Sequence, residues 1–234
     1  MKRSIATVLE DQINRWRSER EKSQGKEQEG PFEPASVITI SREAGSGGSE
    51  VAEKVGALLE IPVYDSQIVE HIAKTSQVQV QTVETLDERA QSRLDNYLTA
   101  LFRERNFDQS DYLRSLTKAV TALWGHGPCV MLGRGAGHII YRRYSLSVRL
   151  VAPFAQRVKH RAQVLDLSEA EATRLVQRLD AEREAFILRF FAKSIDDPLC
   201  YDLVLNMAGF NATAAAGMIA EAYRHKAAGR TTSR

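Results

Sequence analysis

The chain has only two cysteines in 234 residues, Cys129 and Cys200, and neither sits at metal-ligand spacing. Both lie in apolar runs. They read as buried thiols, not as a disulfide or a zinc site, and that usage fits a reducing cytoplasm. Net charge is nearly absent as well: 32 basic residues against 30 acidic ones leave +2. A balance this even provides no bulk field for nucleic acid or a membrane surface. No apolar run approaches the roughly 18 residues of a bilayer span, and the charged first residues do not have the form of a signal peptide. Internal repeats are missing too.

What is present is ordinary globular material, 43% hydrophobic and 26% charged, at a length that suits one medium α/β domain with an appendage or two small domains. Ile5, Val8, Leu9, Ile13 and Trp16 recur at helical spacing. The polar stretch that follows, ending in "GPFEP", reads as a linker. Residues 1–35 are therefore expected to be an N-terminal helix plus flexible linker. The helix either docks on its own chain or joins two copies in a homodimer.

From Ser36 the pattern changes. "VITIS", "IPVYD", "PCVMLG", "LSVRLVA" and "DLVLN" are short apolar runs of strand type. Helical patterns separate them: 49–60, a long charged stretch over 66–124, 153–193, and a last helix from about Ala212. Such alternation predicts a parallel sheet covered by helices on both faces, a three-layer α/β fold. A disordered tail is expected over 226–234.

The first strand runs into "REAGSGGSE" and then a helix. Backbone amides in such a turn, together with a helix N-terminus, form an anion site, and glycines let phosphate oxygens approach closely. Gly45, Ser46, Gly47, Gly48 and Ser49 are the candidate phosphate and ATP contacts. The usual loop, GxxxxGK[ST], has a lysine where this chain has Gly48 and a glycine where it has Arg42. Ser49 is the nearest hydroxyl for magnesium, with Ser46 as a second choice.

"ITISREAGSGGSEVA", the Asp-Ser of "VYDS", the "MLGRGAG" turn, "VRLVAPFAQRVKHR", "RLDAEREAF" and "YDLVLN" follow one another in an order that resembles the cytidylate kinases, closest to their cytidylate kinase-like branch. The similarity spans roughly residues 36–223. It implies a nucleoside-monophosphate kinase of P-loop type over 36–225, with a helical acceptor-site region at 66–127 and lid-type helices at 153–193. It implies ATP and Mg²⁺ as cofactors, and CMP or dCMP as first acceptors. Asp65, Ser66, Arg134 and Asp180 would bind the acceptor, and Arg157, Arg161 and Arg183 would be lid clamps. The family's acceptor-phosphate arginine is replaced by His71.

Phosphoryl transfer needs positioning and positive charge more than covalent work. Arg42 is the candidate to replace the missing lysine, by folding over the loop; a pairing with Glu43 would cancel that charge. The charged helices could equally be solvated faces, with acids such as Asp166, Glu169 and Asp180 pairing their arginines. His126 and His138 flank the Arg134 turn and read as surface or capping residues. Two functions stay open: an ATP-dependent small-molecule kinase, or a nucleotide-binding protein without turnover.

Overall fold

The β-branched run at the start of the domain forms the central strand. A computed structural model describes residues 4–22, 36–105 and 110–228. Strand β1 (Val37–Arg42) pairs with β3 (Cys129–Leu132) on one side and β4 (Ser145–Val151) on the other. The short β2 (Val63–Tyr64) and β5 (Leu203–Asn206) close the two edges. All pairings are parallel, in the order β2-β3-β1-β4-β5. This is the three-layer α/β architecture expected.

The two faces of the sheet differ in chemistry. Ile38, Ile40, Val130, Leu132, Leu146, Val148 and Leu150 form one core with α2 (Gly48–Leu59) and α10 (Ala212–Ala228). On the opposite face Val37, Cys129 and Met131 pack with α3 (Ser66–Lys74), α6 (Asp111–Gly125) and the short α7 (Ala136–Ile139). That second face also buries Thr39, Ser147 and Arg149. Strand alternation places them there, together with Ser41.

The charged stretch after Ser66 resolves into α3, α4 (Ser76–Glu84), α5 (Glu88–Glu104) and α6. Asp65 ends β2 and caps α3, its Oδ1 accepting from the amides of Gln67 and Ile68 at 2.9 Å each. The lid-type helices are α8 (Phe154–Leu165) and α9 (Glu169–Phe191), the latter opened by a Ser168/Glu171 capping box.

Helix α1 (Ile5–Lys22) docks on its own chain. Leu9, Ile13 and Trp16 enter the same core as α3 and α6, and Trp16 stacks on His126 at 3.7 Å between ring centroids. Leu9, Ile13 and Trp16 of its apolar stripe are thus covered by its own chain, while Val8 stays exposed. The expected linker from 23 to 35 lies outside the described residues. The expected tail from 226 is corrected in part: the alanine-rich sequence carries α10 through Ala228, and 229–234 lie outside the described residues.

Candidate functional site

The glycine turn joins β1 to α2 in the conformation its composition demands. Gly45 (φ 86°) and Gly47 (φ 80°) are left-handed, and Gly47 is the N-cap of α2. At Gly45 a side chain is excluded outright, because the Arg157 carbonyl packs where Cβ would stand. The first-turn amides of α2 have no intrahelical acceptor, so they are available to an anion. Ser46 is buried and its hydroxyl donates to the Glu43 carbonyl at 3.0 Å, whereas Ser49 is exposed.

Arg42 folds inward. Its Cγ and Cβ lie 2.7 and 2.9 Å from where a Gly48 Cβ would be, and its guanidinium continues onto Gly133 at the end of β3. Its Nη2 is 3.5 Å from the Ser66 hydroxyl. Glu43 does not pair with it. That carboxylate accepts from the Ala152 amide at 2.8 Å and pairs with Arg157 at 3.2 Å. Burial lowers the Arg42 pKa to about 9, helped by Arg183 and then Arg134 and Arg161, with Asp65 alone opposing. The guanidinium stays charged at neutral pH but is under-neutralised.

Arg183, from α9, donates to the Arg42 carbonyl at 2.9 Å; burial and then Arg161, Arg149 and Arg157 push its pKa down, against Asp180. Arg161 keeps a buried Nε with no hydrogen-bond partner. Arg134 sits at positive φ (50°) after β3, 3.0 Å from Glu70 and 5.6 Å over the Phe186 ring. Glu70 itself is held by Lys74 at 2.8 Å and the Tyr112 hydroxyl at 2.7 Å. Burial alone would raise the Glu70 pKa, but these hydrogen bonds and Arg134 outweigh it and hold it below the usual range.

Two expected site residues are used elsewhere. Arg157 is buried and tied to Glu43, to Asp180 at 2.5 Å and to the carbonyls of Ala44 and Ala152. A guanidinium with that many partners holds the loop and is not a free lid clamp. Asp180, expected at the acceptor, takes that ion pair and the Ala44 amide at 2.7 Å. His160 adds a contact to the Gly45 carbonyl at 2.9 Å. Helices α8 and α9 are therefore fastened to the glycine turn from outside.

A cavity of about 230 Å³ opens at the carboxyl edge of β1 and β3, where open α/β sheets bind ligands. Arg42, Arg134, Arg183 and Ser66 line it, so the structure brings these four expected residues together. Among the described residues of 66–127, Ser66 lines it, and the facing wall is α9. The other described helices of 66–127 pack around α6, behind this cavity. A second cavity, about 270 Å³, lies beside Gly45, Ser46 and Gly47 and is lined by Lys159, His160, Met207 and Phe210. Asp65 remains at its cap beside the first cavity, and His71 lies half-buried on α3.

The histidines are not surface groups. His126 ends α6 beneath Trp16, and His138 stacks on Phe191. Burial lowers both pKa values to about 4, so both rings are neutral. Sequence reading missed Glu70, whose role depends on a partner far along the chain. It also missed Arg149, which bonds the Ser41 hydroxyl and Asp196 at 2.9 Å each. A signal for Arg149 existed: "SLSVRLV" places polar residues at every second position of a strand that is otherwise fully apolar.

The cytidylate kinase-like family model matches residues 37–209, most of the chain. No curated protein matches. Among solved structures, an uncharacterized protein from Eubacterium ventriosum aligns with a TM-score of 0.62 at 20% identity, covering 80% of this chain and 97% of that one. Shikimate kinase from Bacteroides thetaiotaomicron aligns at 0.42 and 12% identity, over 80% and 98%. Shikimate kinase from Aquifex aeolicus aligns at 0.42 and 16%, over 82% and 99%. The chain belongs to the cytidylate kinase-like family.

Proposed function

We propose that this kinase-family domain transfers the terminal phosphoryl group of ATP to a small phosphorylated acceptor, with CMP and dCMP as the first candidates. One observation carries the reading: Arg42, Arg134 and Arg183 converge on one cavity beside the glycine turn, and Arg42 is left under-neutralised. A cluster of this kind suits a ligand that brings its own negative charge.

In this reading the turn amides of Gly45–Gly48 hold the donor phosphates, and the cavity of Lys159, Met207 and Phe210 takes the rest of ATP. Arg42 and Arg183, with Arg161 adjacent, neutralise the transferring group. Arg134, aligned by Glu70, receives the acceptor's anion. Asp65 and Ser66 stand at the acceptor side. The acceptor oxygen forms the new P–O bond as the bond to the leaving phosphate breaks, and the acceptor's proton leaves to solvent. Arg157 and Asp180 position the loop.

Among the described residues no group of three or more His, Cys, Asp or Glu could hold a metal. Magnesium takes most of its ligands from phosphate and water and needs no such group. Ser49 would hold it, and when bound the ion supplies positive charge between the phosphates. A cytoplasmic location goes with ATP use and with the free thiols of Cys129 and Cys200.

The test is ATP consumption with Mg²⁺ against CMP, dCMP, UMP and AMP. Turnover is expected with a cytidine acceptor, falling about 10²–10³-fold in Arg183→Gln. MgATP binding without turnover on any acceptor would contradict transfer. It would leave the non-catalytic nucleotide-binding protein, the reading that Gly48 in place of lysine favours.

A further inference from the structure

The acceptor cavity has a second end. Below the arginines it runs along the face of the sheet, between β1 and β4 on one side and Leu179, Phe186 and Ile187 of α9 on the other. Its inner lining includes the hydroxyl-bearing residues Thr39 and Ser147. Thr39 is 3% exposed, and its Oγ1 has no hydrogen-bond partner. A buried hydroxyl without a partner costs free energy that a valine of the same shape would avoid.

The "GRGAG" turn keeps this space open. Gly133 lies against the Arg42 guanidinium and Gly135 against the Phe191 ring. A Cβ on Gly137 would stand 2.9 Å from the hydroxyl oxygens of both Thr39 and Ser147. With no side chain at Gly137, both hydroxyls lie against bare backbone, in two residues that line the cavity.

Resting on the acceptor reading above, we propose that Thr39 and Ser147 read the far edge of the acceptor while the arginines hold its anion. The Arg42 guanidinium is folded back onto Gly133, whose amide donates to the Ile40 carbonyl, so it stands only one to two strand residues, roughly 3–7 Å, above the level of Thr39. The ligand is a compact molecule with an anionic group at one end and a neutral hydrogen-bonding edge at the other. The base edge of a nucleotide and the hydroxyls of a ring acid share this chemistry.

Calorimetry on wild type, Thr39→Val and Ser147→Ala tests it, with CMP, ribose 5-phosphate, 3,4-dihydroxybenzoate and inorganic phosphate as probes. At least one ring-bearing probe should bind wild type more tightly than phosphate, and Thr39→Val should weaken it about tenfold. Phosphate affinity should not change. Thr39→Val should melt no lower than wild type, which a merely structural threonine would not allow. The proposal is overturned if no ring-bearing probe exceeds phosphate, or if the one that does ignores both substitutions. CMP that binds more tightly than phosphate but is indifferent to both substitutions would sink this inference alone. CMP failing while another probe meets both criteria would sink the CMP reading alone.

Discussion

At Gly48 the loop lacks the side chain that usually carries its charge, and the stem of Arg42 lies where that side chain would begin. We propose that the two positions are an exchange, with the cation delivered from the strand end and the helix start left bare to let it pass. Gly48→Lys alone should therefore destabilise the fold by about 1–3 kcal/mol through overlap with Arg42. The double variant Arg42→Gly/Gly48→Lys should regain most of the lost melting temperature. It should also transfer phosphate within about tenfold of wild type, since one cation replaces another. Thermal melts and the coupled assay on the three proteins check this; a double variant no better than Gly48→Lys would separate the two positions. The arginine and the glycine were both legible in the sequence, but their contact was not. Whether a strand-end arginine turns inward depends on Gly133, which approaches from another strand.

The elements were easier to read than their junctions. Every strand was visible as an apolar run, and the alternation of Thr39, Ser41, Ser147 and Arg149 was there to be seen as a polar face. Arg157 and Asp180 pair with each other, as the reading of acids pairing the lid arginines allowed, but their further partners, Glu43 and Ala44, belong to the loop and could not be read from the helices. Helix α1 could not be placed from its own stripe, since what covers it is His126 and the α3–α6 core. That junction predicts a pH dependence. His126 and His138 have folded pKa values of about 4 against 6.5 unfolded, so the unfolded chain binds more protons between those values. Stability is therefore full above pH 6.5 and declines as the pH falls toward about 4, by about 3 kcal/mol for each ring. His126→Phe keeps a ring under Trp16 and should flatten part of that decline. Denaturant melts from pH 7 to pH 4 will show it; an equal decline in the variant would remove His126 from the account.

On the scale of the whole molecule, a parallel sheet carries a glycine turn and a cavity at its carboxyl edge. Cationic side chains surround the carboxyl edge of the sheet, and the nearby acids are mostly committed to partners: Glu70 to Arg134 and Lys74, Glu43 and Asp180 to Arg157. On our proposal this edge takes an anionic ligand. The most direct measurement is titration of MgATP into wild type and Arg42→Met, beside ligand-free melts of both. The account predicts that Arg42→Met loses about ten- to hundredfold in affinity, as expected for a charge-assisted contact. It also predicts that the ligand-free variant melts higher, because an under-neutralised buried charge has gone. Equal affinity in the two proteins, or a lower melting temperature in the variant, would contradict the claim that Arg42 waits for a phosphate.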